Sequence, residues 1–259
     1  MHHDNPFALQ DAAPGGRGRS YAMTEFWLGR DCQEMDWEQY AFCSAILQAE
    51  GLAEYVNNYR RRMFSSAAAI FWMYNDAWPA THGWTIVDYY RRRKLAYHPV
   101  RRAMAPVTVV TAVEGDEAVV FGVNDTPDDW RGELRYGLFA FAGGRPTDET
   151  RDAHLPANAS TPLARMPLER WRQLGTTRHG AFALLTRDGE HIARHRLLLE
   201  RFKDLQLPPP DVTVRREGGR LVLACETFAW GVCLDLDGEL PLADNCFDLL
   251  PGLPCTLPW

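Results

Sequence analysis

The sequence predicts a mixed fold, the end of an α/β barrel followed by two β-sandwiches, the second of them short. Three observations lead there. A long stretch with apolar residues at three- and four-residue steps runs into a short uncharged apolar segment; that segment ends in a loop rich in polar and aromatic groups; and from Pro106 onward the pattern changes to short segments of alternating polarity separated by turns.

The 259 residues are 46% hydrophobic, enough for packed cores. A formal net charge of −6 argues against a nucleic-acid binder, whose footprint is basic. No run approaches the roughly 18 apolar residues of a membrane span, and the start lacks the features of a signal peptide. The expected partners are therefore neutral ligands, with no nucleic acid and no membrane. Cys32, Cys43, Cys225, Cys233, Cys246 and Cys255 form no C-x-x-C pair and no zinc-ligand spacing, so they read as buried thiols and no metal or cofactor is expected. Cys225 and Cys233 fall on neighbouring predicted strands and could pair in an oxidising compartment. Asn124-Asp125-Thr126 and Asn158-Ala159-Ser160 are glycosylation sequons, relevant only in a eukaryotic secretory pathway.

Ala12 to Gly18 reads as a loop. A helix then starts at Asp36, an N-cap with Gln39 three residues on, and carries one packed face through Tyr40, Leu47, Leu52 and Tyr59. Arg60, Arg61 and Arg62 close it, cations suited to the negative end of the helix dipole. Ser65 to Tyr74 has the composition of a strand buried on both faces, as in a parallel barrel. A second helix is predicted over Lys94 to Met104, with Pro99 marking a kink or a displaced start. Val107–Val113, Ala118–Val123, Glu133–Phe141, Ala181–Thr186 and His191–Leu199 are predicted strands of a sandwich, with a helical turn at Pro167 to Gly175. Beyond the stiff linker Leu207-Pro208-Pro209-Pro210, Asp211–Val214, Leu221–Thr227, Val232–Leu236 and Asn245–Leu249 suggest a second, shorter sandwich.

The chemistry is expected at Phe71-Trp72-Met73-Tyr74-Asn75-Asp76-Ala77-Trp78-Pro79. Barrel enzymes work at the C-terminal ends of their strands, and this segment delivers indoles, an amide and a carboxylate there. A sugar site needs flat apolar surface for ring C–H groups and polar partners for hydroxyls, and both are present. The plainer alternative makes the two tryptophans core filler and Asp76 a turn cap. His2, His3 and Asp4 carry little weight as metal ligands so near a terminus. Arg91-Arg92-Arg93-Lys94 reads as a run that is solvated or paired with acidic neighbours.

Ala68 to Pro79, with its W-x-x-N-D-x-W-P cluster, resembles the last barrel strand and loop of family 2 glycoside hydrolases of the β-mannosidase-like branch. Trp84 to Tyr90, Lys94, Tyr97, Arg102, Ala105-Pro106-Val107, Gln48-Ala49-Glu50-Gly51, Tyr59-Arg60-Arg61 and Asp244 to Gly252 extend the likeness over most of the chain. It implies a remnant of a (β/α)8 TIM barrel over residues 1–105, an immunoglobulin-like β-sandwich over 106–208, and a second, incomplete immunoglobulin-like sandwich over 209–259. It further implies part of a retaining β-glycosidase, in which two glutamates about 5 Å apart serve as acid/base and nucleophile. Both precede the matching portion, since His2-His3-Asp4-Asn5 is similar to a stretch that follows the nucleophile strand. Thr24-Glu25-Phe26 mimics the triplet around that nucleophile, but no apolar strand run precedes it. No catalytic residue is thus assigned.

Trp72 matches the tryptophan that floors the sugar site, Asn75 and Asp76 match the polar pair at its rim, and Trp78 is taken as support. The implied partners are a β-linked oligosaccharide or glycoside and the remainder of the barrel or a companion chain. With most of a barrel missing, residues 1–105 are expected to be loose or dependent on another chain, whereas 106–208 could fold alone. The alternative is a non-catalytic β-sandwich module that binds carbohydrate or mediates contacts.

Overall fold

The computed structural model describes residues 19–79 and 83–258. The stretches His2 to Asn5 and Ala12 to Gly18 lie outside the described residues. Helix α1 (Arg19–Leu28) and a 3-10 turn (Cys32–Glu34) precede the long α2 (Trp37–Arg60). The N-cap predicted for α2 forms: Asp36 Oδ1 accepts from the Gln39 N–H at 2.8 Å, satisfying an amide with no partner inside the helix. Helix α3 spans Tyr97–Ala103, later than the predicted start. Pro99 is the reason: it sits in the first turn, where its missing N–H leaves no hydrogen bond unmade.

Between α2 and α3 the structure corrects one expectation. Ser65 to Tyr74 forms no strand, and Ile70 and Trp72 are 80% and 71% exposed rather than buried on both faces. A buried strand needs ladder partners on its edges and layers on its faces. Here only the end of the run is paired, through Tyr74 and Asp76 to the 86–87 segment. A barrel strand is accordingly absent among the described residues.

A seven-stranded sandwich follows. Its first sheet is β1 (Val107–Glu114), β2 (Glu117–Asn124) and β5 (Ala159–Pro167), in the order β1-β2-β5. Its second is β3 (Trp130–Ala140), β4 (Thr147–Leu155), β6 (His179–Arg187) and β7 (Glu190–Leu197), in the order β4-β3-β6-β7. All pairs are antiparallel. Val109 and Val120 from one sheet meet Leu134, Tyr136, Ala183 and Leu185 from the other. Each fully buried leucine there contributes about 1.5–3 kcal/mol. Helix α4 (Leu168–Leu174) closes one end with Trp171, whose Nε1 donates to the His179 carbonyl at 3.0 Å.

The final unit has five strands among the described residues. These are β8 (Val212–Glu217), β9 (Arg220–Cys225) and β12 (Cys255–Pro258) in one sheet, and β10 (Ala229–Val232) with β11 (Phe247–Leu249) in another. Phe228 joins it to the sandwich by stacking on Phe141, with centroids 5.4 Å apart. Cys225 ends β9 and Cys233 follows β10 in a different sheet, and both thiols are free in this structure.

A second correction concerns α2 and α3, expected to lack partners. Ile46, Ala49, Leu95, Ala96 and Val100 share a core with Ile86, Val87 and Cys246, so the helices are covered by the final unit. Gly231 permits this approach. Its φ is +63°, and a Cβ there would stand 2.2 Å from Ile46 Cδ1.

Candidate functional site

The segment from Ile70 to Tyr74 keeps a two-residue alternation without a sheet. Ile70, Trp72 and Tyr74 face outward, while Phe71 packs against the core shared by α2 and α3. Tyr55 of α2 holds the run through its hydroxyl, which donates to the Ile70 carbonyl at 3.2 Å. The Asp76 N–H donates to the Val87 carbonyl, and the Ile86 and Val87 N–H groups both donate to Tyr74. The loop is thereby fastened to the chain just before α3.

Asp76 is the polar centre of that fastening. It is 4% exposed, and both carboxylate oxygens are occupied: Oδ1 accepts from Thr85 Oγ1 at 2.8 Å and Oδ2 from Lys94 Nζ at 2.8 Å. Lys94 Nζ also donates to Thr85 Oγ1, and the Thr85 carbonyl accepts from Gln48 of α2. A buried carboxylate needs such compensation, because a charge out of water without a partner is costly. Asn75 is exposed beside it, with Nδ2 donating to the Asp76 carbonyl at 3.2 Å. Trp72 and Trp78 are exposed, 71% and 50% respectively. Of the four predicted site residues, Trp72, Asn75 and Trp78 present surface, and Asp76 is turned inward to anchor them.

The basic run is largely spent on structure. Arg92 donates from Nε to Asp88 Oδ2 at 2.7 Å and from its backbone to Oδ1 at 2.8 Å. Burial works to raise the Asp88 carboxyl, and these bonds from Arg92 overcome it, holding it below the ordinary range. Arg93 Nη1 donates to the Leu242 carbonyl, and Lys94 serves Asp76. Glu25 lies exposed on α1, on a helix rather than at the end of a strand.

Sequence reasoning missed a second polar centre, where α2, the sandwich and the final unit meet. Arg196 of β7 donates from Nε to Asp248 Oδ2 at 2.6 Å and from Nη2 to Glu50 Oε1. Trp230 Nε1 donates to the same Glu50 oxygen at 2.7 Å, and the Gly231 N–H donates to Asp248 Oδ1 at 2.9 Å. Burial pushes the Glu50 carboxyl above the ordinary glutamate range against the pull of Arg196. A cleft of about 280 Å³ opens here, lined among others by Glu50, Glu54, Asn57, His195, Arg196 and Asp248. Nearby, Arg102 of α3 donates to Asp244 and to the Asn245 and Cys246 carbonyls. Glu50, Arg102 and the Asp244 segment lay in the family-like stretches, but Arg196 sits in an ordinary alternating strand that carried no signal.

Residues 116–204 match the family model of a Mannosidase Ig/CBM-like domain. The chain is 28% identical to Beta-mannosidase B of Thermothelomyces thermophilus over 252 aligned residues, covering 85% of this chain and 29% of the relative. Beta-mannosidase B of Aspergillus niger is 38% identical over 77 residues, 29% of this chain and 9% of the relative. In fold, the chain superposes on the β-D-mannosidase of Dictyoglomus thermophilum with a TM-score of 0.85 at 24% identity, over 97% of this chain and 30% of that one. The chain thus resembles the C-terminal part of a β-mannosidase-like family 2 glycoside hydrolase. The same β-mannosidase-like fold covers 36% of the exo-chitosanase CsxA of Amycolatopsis orientalis, with a TM-score of 0.70 and 19% identity. The chain spans under a third of the curated relatives it matches.

Proposed function

We propose that this β-mannosidase-like chain supplies one wall of the saccharide site of a retaining family 2 β-glycosidase, with both catalytic glutamates on polypeptide outside these residues. On this reading residues 65–79 are the last strand and loop of a (β/α)8 barrel whose other strands come from the remainder of the enzyme or a companion chain. Trp72 floors the sugar, Asn75 meets its hydroxyls, Trp78 backs the loop, and Asp76 fixes their positions through Lys94 and Thr85. The ligand is a β-linked oligosaccharide or glycoside, as the names of the relatives suggest.

The observation that carries this reading is the distribution of exposed aromatic groups. Among the described residues, every exposed Phe, Trp or Tyr side chain precedes Pro106, with Phe64, Trp72, Tyr74, Trp78, Tyr89 and Tyr90 all between α2 and α3. An apolar surface of that kind marks a binding or assembly face. Without an acid to protonate the leaving oxygen and a nucleophile to trap the oxocarbenium-like carbon, the wall alone performs no hydrolysis. The isolated chain is therefore expected to leave aryl β-mannosides and β-galactosides intact. Turnover by the isolated chain that Glu25→Gln abolishes overturns the proposal.

A second reading, a non-catalytic carbohydrate-binding module, draws on the description of the matched domain. Against it, the sandwich aromatics Trp130, Tyr136, Phe139, Phe141, Trp171 and Phe182 are all buried and offer no platform to a sugar. Saturable binding of mannan or galactomannan by the chain, undiminished by Trp72→Ala, would favour the module.

A further inference from the structure

Val232 of β10 and Phe247 of β11 are the last opposed pair of an antiparallel ladder, and Cys233 and Cys246 are the residues just beyond it, where Asn245 keeps the two chains together by accepting from the Leu234 N–H at 2.8 Å and donating to the Asp235 carbonyl at 2.7 Å. The closing pair of such a ladder has Cα atoms about 4.5–5.5 Å apart, so the residues immediately beyond it start close to the roughly 4.4–6.8 Å that a disulfide requires. Both cysteines pack on one apolar cluster with Ile46, Ala49 and Val87. Cys225 and Cys255 offer no such match. Cys255 faces Leu223, so Cys225 lies diagonally, about 7–8 Å away by ladder geometry. Between Cys233 and Cys246 the chain forms a strap, residues 234–245, lying along α3 and the segment before it. Arg93 donates to the Leu242 carbonyl at 3.1 Å, Arg101 to the Ala243 carbonyl and Arg102 to the Asp244 carboxylate. Within the strap, Gly238 can approach this segment only because it lacks a Cβ, which would stand 2.2 Å from the Arg93 carbonyl oxygen.

We propose that Cys233 and Cys246 are a redox pair whose disulfide closes the strap covalently across α3. Both thiols are free in this structure. The oxidant is a small disulfide such as oxidised glutathione. The half-buried Cys233 attacks as thiolate, breaking the glutathione disulfide and releasing one glutathione thiol; Cys246 then displaces the second. One S–S bond breaks and one forms, and the two thiol protons leave with the two reduced glutathione molecules. Burial raises both thiols, Cys246 up to about 12, and Cys233, half-buried where Cys246 is buried, is the accessible point of entry.

The test is to incubate the full chain with oxidised glutathione, alkylate, and digest at acidic residues, since no Lys or Arg follows Arg220 to separate the cysteines by trypsin. The expected product is a Cys233–Cys246 linked peptide, absent from Cys233→Ser and Cys233→Ala. The oxidised chain should also melt several degrees higher than the reduced one, as closure of a loop of about 14 residues predicts. No linked peptide after exhaustive oxidation, a link from Cys233 to Cys225 or Cys255, or a linked chain with an unchanged midpoint would each overturn the proposal.

Discussion

Arg196 Nε donates to Asp248 Oδ2 at 2.6 Å, a bond that ties β7 of the sandwich to β11 of the final unit. The other arm of the guanidinium reaches Glu50 on α2, so one side chain holds three parts of the chain together. Its own cation is stabilised by the two carboxylates against the cost of burial.

Arg196→Met should therefore destabilise strongly, by about 3–5 kcal/mol, because Glu50 and Asp248 are left desolvated with no cation between them. Replacing all three residues by apolar ones of similar volume should recover most of that loss. Urea denaturation of the wild type, the single variant and the triple variant measures both outcomes. A single substitution costing under about 1 kcal/mol would show that the junction is no more than a surface pair.

Lys94→Met should cost about 3 kcal/mol, since it leaves the Asp76 carboxylate, 4% exposed, with only the Thr85 hydroxyl. Amide exchange at Asp76, Ile86 and Val87, whose N–H groups fasten the Trp72–Trp78 loop, should accelerate in parallel. Adding Asp76→Asn to Lys94→Met should restore part of the stability, and failure to do so would remove the charge from the explanation.

His195 gives a pH dependence of definite sign. Burial, reinforced by the Arg196 charge, pushes its pKa down to about 3, and its Nδ1 accepts from the Thr111 N–H at 3.1 Å. Above about pH 6.5 the ring is neutral folded or unfolded and contributes no slope. As pH falls from about 6.5 toward about 3, the unfolded chain takes up a proton that the native one refuses, so stability declines by up to about 1.4 kcal/mol per pH unit. His195→Asn keeps an acceptor for Thr111 and should remove this part of the slope. Unfolding free energies of both proteins at pH 7, 6 and 5 provide the comparison, and parallel curves would rule His195 out.

The two sequons should behave differently in a eukaryotic secretory host. Asn124 is fully buried, its Nδ2 donating to the Asp128, Leu155 and Pro156 carbonyls and its Oδ1 accepting from Thr126. Asn158 is exposed in the turn before β5. Mass spectrometry should find glycan at Asn158 alone. Asn124→Ala should cost about 2 kcal/mol or more, for the buried carbonyls it leaves unpaired.

The sandwich strands that were legible in the sequence are those with a clear apolar alternation. In the sandwich β1, β2, β3, β6 and β7 were expected from their alternation, the edge strands β1 and β7 included, while the other two edge strands, β4 and β5, were missed. The sequence of β4, Thr147–Leu155, is charged along most of its length because it faces solvent, and β5 carries Pro162 beside an irregularity in its pairing with β2. Apolar content misled in the opposite direction at Ser65 to Tyr74. There the composition of a buried strand is present, but no neighbouring strand pairs along it.

The candidate site divides in the same way. That Trp72, Asn75, Asp76 and Trp78 share one loop follows from their adjacency in sequence. That Asp76 turns inward depends on Thr85 and Lys94, 9 and 18 residues away, which only the folded loop brings to its carboxylate.

Sequence alone determined what depends on neighbours along the chain: the Asp36 cap of α2, the alternation of the inner strands, and the clustering of aromatic groups before Pro106. Tertiary structure decided which charges became joints. Glu50 and Arg196 are 146 residues apart, and a carboxylate and a guanidinium at that separation leave no periodic trace. Their pairing follows from burial, which makes each charge costly until the fold supplies the other.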